Sequence, residues 1–353
     1  MEQASGDLTA IFRRLIRNTG PISLSQYMGE SNARYYDARD PLGSGGDFVT
    51  APEISQMFGE LIGLWLADMW INAGRPDYVQ YVELGPGRAT LAKDALRAAE
   101  KYGFRPGVHF VESSTALKEV QGKAVPEAYW HDDLSTVPMD VPLMIVANEF
   151  LDALPVRQLV KVENGWRERM VGLDGDAFVY VAGGRPMDAA VPVEWRDADV
   201  GTILETCPAA AANMYEVAGR LAEQGGAALF VDYGHAKLHA GSTLQAVREH
   251  TKVNPLEEPG TADLTALVDF ETLARIAQSR DVRVQGVVEQ GKWLSALGIE
   301  GRAQTLAHKA PHYSAEIHAA KDRLIQPDQM GSLFKVLGLA APGWPGGAGF
   351  TGD

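Results

Sequence analysis

From residue 78 onward, β-rich runs alternate with helical patterns, and this alternation limits the fold more than any other feature of the chain. Residues 78–84 read as a strand, 89–103 as a helix, 107–112 as a strand, 114–123 as a helix, a position near 129 as a short strand, and "VPLMIVANEF" (141–150) as another strand. Residues 205–224 read as a helix, "GAALFVDYG" (226–234) as a further buried strand, and 263–279 as a helix. Such order predicts an α/β fold built on a parallel, doubly wound sheet.

The flanking segments are read as elaborations of that sheet. Two short helices are expected at 7–18 and 23–33, with Ser23 capping the second, followed by a long loop at 35–55 that carries Gly43, Gly45 and Gly46. Long loops in compact domains tend to be lids or binding loops, so Asp47, Pro52 and Glu53 are candidates for covering a ligand; the plainer alternatives are that Asp47 satisfies the glycine-rich turn and Glu53 opens a helix, where an acid favours the dipole. The apolar stretch 57–74 contains Glu60 and Asp68, which a membrane span tolerates badly, so it reads as a buried helix. After Pro155 the period shortens to two, and Asn164-Gly165 and Asp174-Gly175 between such runs predict hairpins. The expected organisation is residues 1–75 as N-terminal helices and covering loop, then 76–353 as one continuous core with a β insertion at about 156–200 and a helical insertion at about 240–330.

Charge and cysteine content exclude several functions. With 32 Lys and Arg against 46 Asp and Glu, the chain carries a formal charge of -14. That balance disfavours a nucleic-acid partner, whose phosphates are held by cationic side chains. Cys207 is the only cysteine, which rules out an intrachain disulfide and a Cys-rich zinc site, and no metal is expected. The basic run "IFRRLIR" is preceded by Glu2 and Asp7 and is followed by no apolar core, so an amphipathic helix is expected there rather than an import peptide, with a bacterial cytoplasmic location.

The stretch "YVQYVELGPGRATLAKDAL" (78–96) joins a strand, a glycine turn and a helix. Gly85 and Gly87 permit a tight turn and close ligand approach, with Pro86 between them and the small Ala89 allowing the helix to pack near the strand. By itself this pattern fits a dinucleotide, another adenosine ligand, or a turn with no ligand at all. Glu112, with Ser113 beside it, ends the next strand and is placed to grip ribose hydroxyls. Glu83 ends the first strand, where it would oppose a pyrophosphate but suits a cationic amino group, so S-adenosyl-L-methionine is preferred over NAD. In "WHDDL", Asp133 is the candidate for the adenine amino group, with Leu134 beside it; a helix cap is the plainer alternative.

The segments "GDFVTAPEISQMFGELIG", "VELGPGRAT", "ANEFLDALP", "LQAVREH", "PGTADLTALVDF" and "MGSLFKVL" together resemble the MidA family of class I S-adenosylmethionine-dependent methyltransferases, in the family's order and over nearly the whole chain. The resemblance implies a Rossmann-like, seven-stranded, mostly parallel sheet with an N-terminal helical segment and β-hairpin and helical insertions. It also implies S-adenosyl-L-methionine as cofactor, held at its methionine portion by Gly85 and Gly87, at its ribose by Glu112 and at its adenine by Asp133. Mitochondrial members are complex I assembly factors, and one dimethylates an arginine on a complex I subunit, so a protein substrate of that kind is expected. Two departures are Ala89, where the family usually has glycine, and Ser242, where many relatives have aspartate.

For arginine as acceptor, carboxylates must hold the guanidinium while the attacking nitrogen is aligned. "NEFLDALP" supplies Glu149 and Asp152 beyond the buried strand, with Asn148 to position the group beside cofactor or substrate; bracing of the turn that ends at Pro155 is the plainer alternative. His250 and Asp263 are assigned no catalytic role. An NAD-dependent oxidoreductase and a non-catalytic assembly protein that retains the pocket stand as alternatives.

Overall fold

The computed structural model describes residues 7–38 and 49–350, and the chain divides into two compact units. One comprises 1–41, 153–210 and 238–267, the other 42–152, 211–237 and 268–353. The sequence reading expects residues 1–75 beside a continuous core at 76–353; in this division residues 1–41 group with 153–210 and 238–267.

The larger unit holds the sheet. Its strands are β1 (Gln80–Leu84), β2 (Gly107–Val111), β3 (Tyr129–His131), β4 (Leu143–Asn148), β5 (Gly226–His235), β6 (Arg283–Glu289) and β7 (Phe334–Ala340). They lie in the order β3-β2-β1-β4-β5-β7-β6, and a two-residue strand at Val268–Asp269 pairs with the end of β5. All neighbouring pairs are parallel except those made by β7, which runs antiparallel to both β5 and β6. This is the seven-stranded, mostly parallel sheet expected. The chain leaves β1 toward β2 and β3 on one side and returns through β4 to β5 on the other. The crevice at such a switch point, outside the carboxyl ends of the strands, is where open α/β sheets bind ligands.

The apolar helix Gln56–Asn72 is core. Phe58, Leu61, Ile62, Trp65, Leu66 and Met69 are all buried. Gly59 and Gly63 let it approach helix Thr90–Glu100 closely: a Cβ on Gly63 would lie 2.1 Å from the Ala95 carbonyl oxygen. The buried Glu60 is neutralised by Arg302 at 2.7 Å and Arg97 at 3.2 Å, which is how an acid is accommodated in this helix. Among the described residues, no helix is long and apolar enough to cross a membrane.

In the other unit, helices Leu8–Thr19 and Leu24–Ala38 flank a sheet of Ile22–Ser23, Gly165–Asp174, Arg157–Val162 and Ile203–Thr206, with Ala177–Pro186 paired to Gly165–Asp174. Ser23 caps the second helix as expected, accepting from the Gln26 N–H at 3.1 Å. Both hairpins form, with loops of Glu163-Asn164 and Gly175-Asp176. The region expected to be a helical insertion begins as β structure, because Gln245–Arg248 pairs with Thr251–Val253 and with Asp263–Thr265. The helix expected at 263–279 accordingly shortens to Phe270–Gln278, capped by Asp269 accepting from the Thr272 N–H at 3.1 Å. Helices occupy most of 290–333.

Candidate functional site

The glycine turn follows β1 directly. Gly85 and Gly87 have φ of +62° and +54°, a region that side chains penalise, and the Gly85 N–H is anchored to the Val111 carbonyl at 3.0 Å. A Cβ on Gly85 would also meet Phe150 at 2.7 Å, so Gly85→Ala is expected to cost about 1–3 kcal/mol in urea unfolding. Pro86 is buried. Ala89, the departure from glycine, adopts φ +60° at the start of helix Thr90–Glu100, so alanine keeps the glycine-like conformation here. Thr90 donates to Glu53 of the short helix Ala51–Ile54, tying that helix to the turn.

Glu83 is fully buried, and the Tyr81 hydroxyl donates to its Oε2 at 2.6 Å. Burial pushes its carboxyl up to about 8, against the opposing effect of the tyrosine. A buried carboxyl of this kind suits a cationic partner.

At the end of β2, Glu112 is held at both oxygens. The Ser114 N–H donates to Oε1 at 2.8 Å, and Gln121 Nε2 donates to Oε2 at 3.1 Å. Ser113 beside it is exposed. Beyond β3, Leu134 is buried and Asp133 is exposed. Asp133 accepts from both the backbone and the hydroxyl of Ser135 on its Oδ1, which holds its carboxyl below the usual carboxylate range. It therefore caps the turn Leu134–Thr136, while neither bond engages Oδ2. Asp132 is instead paired with Lys118 at 2.8 Å.

Four polar side chains gather at the carboxyl ends of β4 and β5. Glu149 has φ +49°, an uncommon conformation for a residue with a side chain, and its Oε1 accepts from the Ala51 N–H at 2.9 Å and from Asn148 Nδ2 at 3.1 Å. Asn148 Oδ1 is buried with no hydrogen-bond partner. Asp232 Oδ2 accepts the N–H groups of Leu151 at 2.9 Å and Asp152 at 3.2 Å, fixing the turn that carries both Glu149 and Asp152. Burial, and then the charge of Asp152, push the Glu149 carboxyl up to about 7 despite the Ala51 hydrogen bond. Burial, followed by the charges of Asp152 and Glu149, raises Asp232 well above the carboxylate range. Close carboxyls in a dry site cannot all ionise, so the cluster favours an incoming cation.

The sequence-predicted residues thus fall at the carboxyl ends of β1 to β4, all within one unit. Two participants were missed. Asp232 follows the apolar run 226–231 of β5, where pairing with β4 stops, so a signal like that of Glu83 was available in "FVDYG". Gln121 lies mid-helix in Thr115–Ala124 with no local signature. Asp47 and the glycines at 43, 45 and 46 lie outside the described residues. His250 sits with Glu249 at positive φ in the turn of the hairpin Gln245–Val253, and Asp263 accepts from the Tyr36 hydroxyl at 3.0 Å, both in the other unit. Ser242 there accepts from Gln158 Nε2 at 2.8 Å.

These residues fit S-adenosyl-L-methionine. The Gly85 position leaves no room for a side chain, the buried Glu83 suits an ammonium, and the unpartnered Asn148 Oδ1 needs a donor. No cluster of metal-ligating side chains occurs among the described residues.

Comparison with known proteins gives concordant matches. Residues 61–288 match a family model described as "Putative S-adenosyl-L-methionine-dependent methyltransferase". The chain is 36% identical to the protein arginine methyltransferase NDUFAF7, mitochondrial, of Homo sapiens, over 96% of this chain and 85% of the relative. It is 36% identical to the Drosophila melanogaster homologue of that protein, over 96% and 86%. A crystal structure of a COG1565 superfamily member from Burkholderia thailandensis, bound to S-adenosyl-homocysteine, superposes with a TM-score of 0.83 at 28% identity, covering 97% of this chain and 94% of that one.

Proposed function

We propose that this chain, which belongs to the S-adenosyl-L-methionine-dependent methyltransferase family matched over residues 61–288, methylates arginine on a protein, with a subunit of respiratory complex I as the acceptor. The observation that carries the arginine reading is the cluster of Glu149, Asp152 and Asp232 at the carboxyl ends of β4 and β5. The complex I acceptor follows from the family resemblance; the relatives named above are mitochondrial.

When bound, the cofactor supplies a sulfonium methyl group as electrophile. The chain's task is to bind, orient and stabilise charge. Glu83 would hold the cofactor's amino group, Gly85, Pro86 and Gly87 its methionine portion, and Glu112 with Ser113 its ribose. Asp133, through the oxygen not engaged in capping, and Leu134 would meet the adenine. Asn148 Oδ1 would accept from whichever donor arrives at that edge. Glu149 and Asp152 would grip the guanidinium, whose planar fork matches two carboxylates, while its positive charge relieves their mutual repulsion. Orientation of the attacking nitrogen then provides much of the acceleration.

The test is incubation of purified protein with labelled S-adenosyl-L-methionine and a complex I preparation lacking the modification, followed by peptide mass spectrometry. Methylated arginine is expected. If the label appears on lysine or glutamine instead, the guanidinium reading is wrong.

A further inference from the structure

We infer that Gln121 is a positioning residue for the cofactor's ribose, locking Glu112 and the glycine turn into one preformed clamp; this rests on the reading of Glu112 as the ribose-binding acid. Gln121 is completely buried in helix Thr115–Ala124. Its amide makes three bonds: Nε2 donates to the Gly87 carbonyl at 2.8 Å and to Glu112 Oε2 at 3.1 Å, and Oε1 accepts from Trp130 Nε1 at 2.8 Å.

The orientation of this amide is determined by its partners. An indole N–H only donates, and a carbonyl and a carboxylate only accept. The oxygen must therefore face Trp130, and the two N–H groups must face Gly87 and Glu112. A flipped amide would place N–H against N–H and leave buried acceptors without donors, at about 1–3 kcal/mol for each such group.

Two consequences bear on binding. Tying the Gly87 carbonyl to Gln121 turns the Arg88 N–H the opposite way, since the two are antiparallel across a trans peptide and no peptide among the described residues is cis. Holding Glu112 at Oε2 while Ser114 holds Oε1 leaves the carboxylate one rotational setting. A carboxylate fixed before binding gives more of its hydrogen-bond energy to the ligand than one that must be ordered on arrival. Trp130, packed edge-on to Phe110 at a ring-centroid distance of 6.3 Å, completes the chain from β3 through the helix to the turn after β1.

The experiment is calorimetric titration of the full chain with S-adenosylhomocysteine and with its analogue lacking both ribose hydroxyls, using wild type, Gln121→Leu, Trp130→Phe and Glu112→Ala. For Gln121→Leu, about a tenfold loss of affinity is expected for S-adenosylhomocysteine, the size of one charged hydrogen bond, and a smaller loss, about threefold or less, for the analogue, which feels only the loosened glycine turn. Trp130→Phe, which keeps Gln121 but frees its oxygen, should show a smaller loss with the same ligand selectivity, and it reads the proposal if Gln121→Leu does not fold. Equal losses for both ligands, or no loss for either, in a folded variant would overturn the role of Gln121. If Glu112→Ala itself fails to distinguish the two ligands, the ribose reading of Glu112 is at fault; if only Glu112→Ala distinguishes them, the ribose reading stands and the Gln121 proposal fails.

Discussion

Replacing Glu83 with glutamine is expected to weaken S-adenosyl-L-methionine binding by about 50-fold, the equivalent of about 2–3 kcal/mol for a buried charge-assisted hydrogen bond, while leaving the unliganded protein at least as stable as wild type. The two halves have one cause. Buried Glu83 is pushed up to about 8, so near neutrality the free protein holds it protonated, and glutamine is a close copy of that neutral form able to accept from Tyr81. Because the folded value lies above the unfolded carboxylate value, the stability associated with Glu83 is fully present below the unfolded value. It declines as pH rises toward about 8. The melting temperature of unliganded wild type should therefore fall across that interval, and Glu83→Gln should flatten the fall.

Binding carries the opposite sign. Gripping the ammonium requires the carboxylate, so binding releases a proton and affinity should rise as pH approaches about 8, beyond which the α-amino group of the ligand loses its own proton. Calorimetry in buffers of different ionisation enthalpy measures that proton directly. An affinity flat with pH, together with full binding by Glu83→Gln, would remove Glu83 from the cofactor's amino group.

The second large effect is on turnover. Glu149→Gln is expected to lower kcat by about 10³-fold, comparable to removing one preorganised electrostatic contact from a dry active site, with S-adenosylhomocysteine affinity changed by less than about threefold. Glutamine retains an oxygen for the Ala51 N–H and Asn148, so the backbone at this strained position keeps its partners and only the charge is lost. With Glu149 pushed up to about 7, kcat/KM of wild type should climb as pH passes through about 7, and that limb should disappear in the variant. Unchanged turnover of Glu149→Gln on a validated acceptor would return Glu149 to the plainer role of bracing its turn.

Much of this site could be read from the sequence because strand ends are visible there. An acid that closes an apolar run marks a carboxyl end, and Glu83, Glu112 and Glu149 were found that way. Asp232 carries the same mark after the apolar run 226–231. Gln121 could not have been found: its role depends on Gly87, Glu112 and Trp130, which meet only once β1, β2 and β3 are side by side. For the fold, the doubly wound sheet followed from alternation, whereas the β structure at 245–265 did not. Its strands are three or four residues long, too short for a period to show, and its hairpin turns at Glu249-His250 rather than at a glycine. The division into two units escaped for a related reason: each unit is assembled from three separate stretches of chain.

The central claim is methyl transfer to arginine, and single-turnover incubation with methyl-labelled S-adenosyl-L-methionine and an unmodified protein acceptor tests it most directly, with acid hydrolysis and amino-acid analysis of the product. Label recovered as methylarginine, lost together with Glu149→Gln, is the predicted result. Protein that binds S-adenosylhomocysteine tightly yet leaves no label on the acceptor's arginines would contradict the account and favour an assembly protein that keeps the pocket without using it.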